Sequence, residues 1–326
     1  MKLLVAIPCY NEAENLPGVL KSIPMEYPGI SEVRLLVVDD GSKDGTARAA
    51  REAGANVIIH KRNKGLGEAF RSAVDYAVEH GYDLMVNMDG DGQFSSDDIE
   101  ELSRPILNNE ADFVTGSRFL SGEAIPNMPA VKRWGNGRMN SLVSRLCGQR
   151  FSDVSCGFRA YSRDTLLKIN FYGRFTYTQE SFVSFQFNNV AMAEVPISVT
   201  YFKERKSRVA GSILNYLKRT SGILIGLMRD YYPLRFFSFL GCLFLIPTLV
   251  FGLMFLIHYL SVGYFSGYIF AGLISAFCAL IAVLMFSFGV AMESMVRINR
   301  NENRILYHMR KSAPTTPDAP GEVIYK

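Results

Sequence analysis

The chain has 326 residues, is 48% hydrophobic, and sets 35 Lys and Arg against 31 Asp and Glu for a net charge of +4. That length allows one large domain with an appendage or two domains, and so small a basic excess does not describe a general nucleic-acid binder. The cysteines (Cys9, Cys147, Cys156, Cys242, Cys278) are scattered, form no metal-ligand spacing and point to a reducing compartment.

In chain order, Leu3–Ile7 is too short an apolar run for a signal peptide and reads as a first buried strand. Further strands are expected at Val33–Val38, Val57–His60, Leu84–Met88 and Phe113–Thr115. Helical patterns run over Glu12–Ser22, Gly45–Glu52, Gly67–Glu79, Asp97–Leu107 and Gly135–Cys147. Short apolar runs alternating with amphipathic helices imply an α/β fold with a largely parallel sheet. Ligands of such sheets gather at the carboxyl ends of strands. Three of those ends are polar: Pro8-Cys9-Tyr10-Asn11-Glu12, Asp39-Asp40-Gly41-Ser42 and Asp89-Gly90-Asp91-Gly92-Gln93.

The last of these carries the most chemistry. Asp89, Asp91 and Gln93 offer oxygen ligands at alternate positions, which suits Mg²⁺ or Mn²⁺. Gly90 and Gly92 permit a sharp turn and let an anion approach the backbone. A hard cation beside a strand end is a place to hold a diphosphate. The alternatives are a plain Asp-Gly turn and a calcium loop. Phe94 at the sixth loop position, where glycine is needed, and the preceding strand speak against calcium. Tyr10 can stack on a base, and Asp39 can accept hydrogen bonds from a base or ribose. Asp44 and Thr46 read as helix-start residues. Lys64 is either a phosphate ligand or a solvated turn residue. Gly65-Leu66-Gly67 lacks the third glycine of a dinucleotide fingerprint, having Phe70 there, and follows an interior strand, which excludes a Rossmann dehydrogenase.

From Phe236 to Met292 there is no Asp, Glu, Lys or Arg. The stretch holds two spans, about Phe236–Leu256 and Tyr268–Met292, joined by a turn at Ser261–Gly267. Pro247 is tolerable in a membrane helix. Lys218, Arg219, Arg229 and Arg235 precede the first span, and Arg297, Arg300, Arg304, Arg310 and Lys311 follow the second. The positive-inside rule then places both termini and the N-terminal domain in the cytoplasm. Residues 213–228 read as an interfacial helix. The tail beyond Ser312, with Pro314, Pro317 and Pro320, reads as disordered. The expected division is residues 1–210 as the cytosolic domain, 211–235 as interfacial helices, 236–292 as the spans and 293–326 as a basic segment with a disordered tail. The hairpin can also support a homo-oligomer.

Taken together, Ile7–Glu12, Val37–Ser42, Asn63–Gly65 and Asp89–Gln93 resemble the ordered motifs of glycosyltransferase family 2. Gly116-Ser117-Arg118 and Asp153-Val154-Ser155-Cys156-Gly157-Phe158-Arg159 are similar to its polyprenyl-phosphate branch, the dolichyl-phosphate mannose synthase-like enzymes. The resemblance covers about residues 3–210. It implies a GT-A fold and inverting transfer of a hexose, mannose or glucose, from a GDP- or UDP-sugar to dolichyl or undecaprenyl phosphate. It implies that Asp91 and Gln93 bind the metal and that Asp89 contacts metal or nucleotide. Pro8, Tyr10, Asn11, Glu12, Asp39, Lys64 and Gly90 belong to the nucleotide-sugar site on the same ground, and Arg118 meets the acceptor phosphate. The family's Gly-x-Ser-Lys segment is replaced here by Lys203-Glu204-Arg205-Lys206-Ser207-Arg208. Arg133-Trp134 lacks the glutamine of the processive synthases' Gln-x-x-Arg-Trp, with Val131 preceding it instead.

A lipid phosphate acceptor is mostly dianionic at neutral pH, with a second pKa of about 6, and needs no general base. It needs positive charge against repulsion from the donor diphosphate. Arg118, Arg133, Arg205 and Arg208 are the candidates, in that order. Asp153 reads either as a catalytic carboxylate or as an Asx-type turn with Ser155; Glu180 is a second candidate acid. A hydroxyl acceptor, or a catalytically inactive membrane adaptor, are the alternative functions.

Overall fold

The computed structural model describes residues 1–120, 130–170, 177–200, 222, 225–264 and 267–326. Its strands are β1 (Lys2–Cys9), β2 (Glu32–Asp39), β3 (Asn56–Ile59), β4 (Leu84–Asn87), β5 (Phe113–Ser117), β6 (Arg159–Ser162), β7 (Met192–Pro196) and β8 (Val323–Tyr325). They form one sheet in the order β7-β5-β6-β4-β1-β2-β3-β8. β1 is central and buried continuously from Leu3 to Cys9, as expected of a strand covered on both faces. Only β6 runs against its neighbours, β4 and β5. The sheet is therefore largely parallel, with one reversed strand. β6 has four residues and begins with an arginine, so neither length nor alternation announces it.

The described helices are α1 (Leu16–Ser22), α2 (Thr46–Glu52), α3 (Leu66–Glu79), α4 (Asp98–Leu107), α5 (Ala130–Cys147), α6 (Arg163–Lys168), α7 (Tyr177–Phe187), α8 (Pro233–Val262) and α9 (Ile269–Ser312). α3 buries Ala69, Phe70, Ala73, Val74 and Ala77, an i, i+3/i+4 stripe laid on the sheet. One core cluster joins β1, β2 and β4 to Leu16, Val19, Ile99, Leu102 and Phe158.

The chain divides into two compact units, Met1–Leu217 with Ile305–Lys326, and Lys218–Arg304. The tail expected to be disordered is instead part of the first unit: β8 pairs in parallel with β3, Val57 opposite Val323 and Ile59 opposite Tyr325. Prolines at 314, 317 and 320 suit a chain that runs irregularly before a three-residue edge strand.

The second unit contains α8 and the first part of α9, both long and apolar enough to cross a membrane. Both outrun the expected spans. At about 1.5 Å per residue, α9, with 44 residues, is about 66 Å long. That is twice a bilayer's hydrocarbon thickness of about 30 Å. Small residues let α8 and α9 approach: Phe286 of α9 lies against Gly241, and Phe237 of α8 against Gly289. Ser275 donates to the Thr248 carbonyl at 2.8 Å, one residue past Pro247.

Candidate active site

The loops after β1 and β2 are knitted together by their own polar groups. Asn11, at φ +55°, donates its backbone N–H to Ser42 Oγ at 2.9 Å. Lys43 N–H donates to Asn11 Oδ1 at 3.0 Å, and Glu12 N–H to Thr46 Oγ1 at 3.0 Å. Asp44 accepts from Ala13 N–H and Thr46 N–H, each at 3.1 Å, so it serves the start of α2 and the neighbouring loop at once. Asn11 therefore has a structural task as well as its place in the donor region. Pro8 lies within β1 near its carboxyl end, and Tyr10 is exposed beyond that end.

Asp39 is buried and accepts from Ser42 N–H at 2.9 Å. Its neighbour Asp40, unassigned by sequence reasoning, organises the third loop. Asp40 accepts from Lys64 N–H at 2.9 Å, Gly65 N–H at 2.8 Å and His60 Nδ1 at 2.7 Å. His60 Nε2 in turn meets Ser72 Oγ at 3.0 Å. Gly41, at φ +76°, touches the same loop: a Cβ there would lie 2.5 Å from the Arg62 carbonyl carbon. The Asp40 signal was available, since adjacent aspartates at a strand end rarely have the same partner, but its partners lie in another loop. Lys64 itself has an exposed side chain and holds its place through its backbone.

The loop after β4 holds Asp89, Gly90, Asp91 and Gln93. Gln93 N–H donates to Asp91 Oδ1 at 3.1 Å. A Cβ on Gly90 would sit 2.6 Å from Cys9 Sγ, so this glycine is required by packing against β1. On the other side, the Gly157 Cα approaches the Asp89 carboxylate so closely that a Cβ would lie 3.3 Å from Oδ1. Asn87 ties that segment down, donating to the Gly157 carbonyl at 3.0 Å. Burial, then the Asp91 charge, push the Asp89 carboxyl up to about 6, with Arg118 pulling the other way and Glu12 adding to the rise. Acidic groups that raise one another in this way form a site that a cation relieves.

Among the described residues no cluster of three His, Cys, Asp or Glu side chains forms a complete metal cage. That suits Mg²⁺ or Mn²⁺, which are commonly held by one or two carboxylates with substrate phosphates and water completing the shell. The donor set Asp89, Asp91 and Gln93 fits a cation of this kind. Mn²⁺ affinity is expected to fall as pH is lowered through about 6, because the proton competes for Asp89. In the metal-free protein the sign is also set. The folded-state pKa lies above the ordinary carboxylate value, so this group's contribution to stability is fully present below that value and is lost as pH rises to about 6. Calorimetric Mn²⁺ titrations at pH 5, 6 and 7 check this; an affinity flat across that window would contradict it.

Asp153 and Arg118 form one unit. Arg118 Nε donates to Asp153 Oδ2 at 2.6 Å and Nη2 to Oδ1 at 3.0 Å, and Nη2 also reaches Ser155 Oγ at 2.8 Å. The Asp153 side chain is 1% exposed and that of Arg118 is 14% exposed. Asp153 also accepts from Ser155 N–H at 3.1 Å, closing the Asx-type turn. The expectation of a catalytic Asp153 is corrected on this geometry: its carboxylate is the buried counter-ion that aims Arg118, and the bidentate guanidinium keeps it ionised without access to an acceptor.

Arg159, named so far only as the end of a motif, is fully buried. It donates to the carbonyls of Cys156 at 2.8 Å, Val154 at 3.2 Å and Thr178 at 2.9 Å, and to Ser181 Oγ at 2.6 Å. Its guanidinium lies 4.9 Å from the Phe182 ring centroid. This cation splices the 153–158 loop, which abuts Asp89 and contains Asp153, to the first turn of α7. Glu180 lies in that same turn and is partly buried. Of the remaining acceptor candidates, Arg133 lies on α5 but its side chain is outside the described residues, as are Arg205 and Arg208 altogether.

An α/β sheet with acidic and polar loops collected at the carboxyl ends of β1, β2 and β4, and a reversed β6 behind them, is the GT-A fold of nucleotide-sugar transferases. Residues 4–169 match glycosyl transferase family 2, and the chain belongs to that family. It is similar to polyprenol monophosphomannose synthase of Mycolicibacterium smegmatis, 33% identical over 65% of this chain and 82% of that protein. It is also similar to UDP-N-acetylglucosamine–dolichyl-phosphate N-acetylglucosaminyltransferase of Methanococcus voltae, 28% identical over 66% of this chain and 92% of that one. In fold it resembles glucosyl-3-phosphoglycerate synthase from Mycobacterium tuberculosis, solved with Mn²⁺, UDP and glucosyl-3-phosphoglycerate. That likeness has a TM-score of 0.51 at 20% identity and covers 71% of this chain and 79% of that one.

Proposed function

We propose that this glycosyltransferase moves a hexose from a UDP- or GDP-sugar to a polyprenyl phosphate at the cytosolic membrane face, with inversion. The observation that carries this reading is the bidentate Arg118–Asp153 pair, set in the loop that also abuts Asp89. It provides a fixed cation and no free base, which is what a phosphate acceptor needs and a hydroxyl acceptor does not. The relatives' printed substrates, polyprenol and dolichyl phosphates, support the same acceptor.

In this reading Asp91 and Gln93, with Asp89, hold Mg²⁺ or Mn²⁺, which supplies Lewis-acid stabilisation of the leaving diphosphate. Tyr10 and Asp39 face the nucleoside, within loops set by Asn11, Ser42 and Asp40. An acceptor phosphate oxygen attacks the anomeric carbon, the bond from that carbon to the diphosphate oxygen breaks, and the nucleoside diphosphate leaves with the electron pair. No proton is transferred, because the acceptor arrives mostly as the dianion. Arg118 offsets repulsion between the two phosphates, and Arg133, Arg205 and Arg208 are further candidates for that task. α8 and α9 hold the domain where a lipid headgroup is concentrated, which replaces a search in three dimensions. The charge flanking the spans supports a cytosolic domain.

The test is purified full-length protein with Mn²⁺ or Mg²⁺, dolichyl or undecaprenyl phosphate, and a panel of UDP- and GDP-sugars. The expected product is a lipid phosphate monosaccharide of inverted anomeric configuration. Transfer to polyprenol but not to its phosphate would overturn the reading.

A further inference from the structure

The edge of β3 is a built receptor. Asn56, Tyr76, Tyr82 and His80 are polar side chains at least nine-tenths buried, and they converge on a segment some 240 residues later in the chain. The Asp318 carboxylate accepts from Tyr82 OH at 2.7 Å, Tyr76 OH at 3.0 Å and Asn56 Nδ2 at 3.0 Å. Asn56 Oδ1 accepts in return from Gly321 N–H at 2.7 Å and Glu322 N–H at 3.2 Å. His80 Nδ1 donates to the Thr316 carbonyl at 2.8 Å, and Thr316 N–H to the Glu79 carbonyl at 3.0 Å. Burial opposes a charge on Asp318, yet the hydroxyls of Tyr82 and Tyr76 hold its carboxyl below the usual range. These are contacts for an acidic, proline-interrupted segment, followed by a strand.

That strand runs toward the candidate site. β8 is parallel to β3, so its end lies where β3 gives way to the loop from His60 to Gly65. Val57 N–H donates to the Glu322 carbonyl at 2.8 Å, Lys326 N–H to the Ile59 carbonyl at 2.9 Å, and Lys61 N–H to the Lys326 carbonyl at 3.0 Å. The last bond is inside the loop that Asp40 clamps through His60, Lys64 and Gly65. One stretch of backbone, residues 59–65, is thus held on one side by β2's Asp39 and Asp40 and on the other by the tail.

We propose that residues 313–326 are a positioning strap: an intramolecular strand, locked by Asp318, that braces the 60–65 loop in its nucleotide-binding shape. The physical reason is the low stability of an edge. Without β8, β3 is a four-residue edge strand with unpaired N–H groups, and a loop leaving such a strand opens locally at little cost. With the strap in place, the amides of Val57 and Lys61 are bonded, and Asp40 meets Lys64 and Gly65 already ordered. Ligand binding then requires less ordering of the loop, which raises affinity. The strap follows directly from α9, so the domain that begins before the membrane spans is completed by chain that comes after them.

The proposal rests on the reading that this loop borders the donor nucleotide, and the test separates the two. Full-length Asp318→Ala is compared with wild type by amide hydrogen exchange and by binding of UDP and GDP in Mn²⁺. Exchange of Val57 and Lys61 is expected to quicken at least about tenfold, with Lys64 and Gly65 following, while the central β1 amides are unchanged. Nucleotide affinity is expected to fall about three- to tenfold, with lipid-phosphate KM unaltered. Asp318→Asn, which keeps an acceptor oxygen, should recover part of the protection. Ile324→Pro, placed only in β8, should reproduce the loss through the ladder itself, so a failure of Asp318→Ala to fold does not decide the matter. If Val57 and Lys61 open while Lys64, Gly65 and nucleotide affinity stay as in wild type, the strap does not brace the loop and the proposal fails. If neither variant changes Val57 exchange, Asp318 and β8 are not its lock, and it fails likewise. If wild type binds neither nucleotide, the donor-site reading is what fails, and the exchange data still decide whether the strap holds the loop.

Discussion

Asp91→Asn is expected to lower kcat/KM by about 1,000-fold, about 4 kcal/mol of transition-state stabilisation, with little change in folding. The asparagine keeps an oxygen able to accept the Gln93 N–H, so the turn that Asp91 closes at 3.1 Å survives. What is lost is a charge. The loop then presents one carboxylate fewer to the cation, and Asp89 no longer has Asp91 raising its pKa. Weaker Mn²⁺ binding is therefore expected, together with an Asp89 pKa that moves back toward the ordinary value. Binding of lipid phosphate should be unaltered. The checks are steady-state kinetics across Mn²⁺ concentrations and Mn²⁺ calorimetry on the same preparation. Retention of full activity at saturating Mn²⁺ would make this a weak-affinity effect only, and retention at low Mn²⁺ would remove Asp91 from the metal site.

The second large effect is at Arg118, and the structure shows why a single substitution is not enough. Arg118→Ala removes the guanidinium proposed to meet the acceptor phosphate, and it also leaves Asp153 buried without its partner. Breaking a buried pair costs about 3–5 kcal/mol, so part of any lost activity is lost fold. The double variant Arg118→Ala with Asp153→Asn removes both charges together. It is expected to regain most of the thermal stability and none of the acceptor affinity: the KM for polyprenyl phosphate stays raised while nucleotide diphosphate binds as in wild type. Asp153→Asn alone should behave as a misaligned Arg118, with a raised lipid KM and no loss of a basic limb from the pH profile. A double variant with wild-type lipid KM, or one losing nucleotide and lipid binding equally, would take Arg118 out of the acceptor site.

Much of this site was legible in the residues because it is local. Asp89 to Gln93 is a five-residue ligand set with its own glycines, and the strand before it is a clear apolar run. β1 to β5 and the helices between them follow from periodicity, since each buries a continuous run or a regular stripe. β6 was not legible. It is short, starts with Arg159, and is a strand because Phe158, Ala160 and the Arg159 hydrogen bonds fit between β4 and β5. Gly90 was read as room for an anion, and the structure adds a different requirement, the sulfur of Cys9.

The C-terminal tail shows the same limit from the other side. Its prolines and charges satisfy the composition of a disordered segment, and nothing nearby in sequence contradicts that. Its partners, Asn56, Tyr76 and Tyr82, lie more than 200 residues earlier. What the amino-acid order determined by itself was everything set by neighbours along the chain: the alternation of strands and helices, the acidic turn, and the two uncharged helices long enough to cross a membrane. What the tertiary structure decided was the assignment of charges to partners. Asp153 became the counter-ion of Arg118, Asp40 the clamp of a loop from another strand, Arg159 a buried cation beneath the site, and the tail an eighth strand. Hydrogen bonds and ion pairs act over about 3 Å of space, and only the folded sheet brings residues so distant in sequence within that reach.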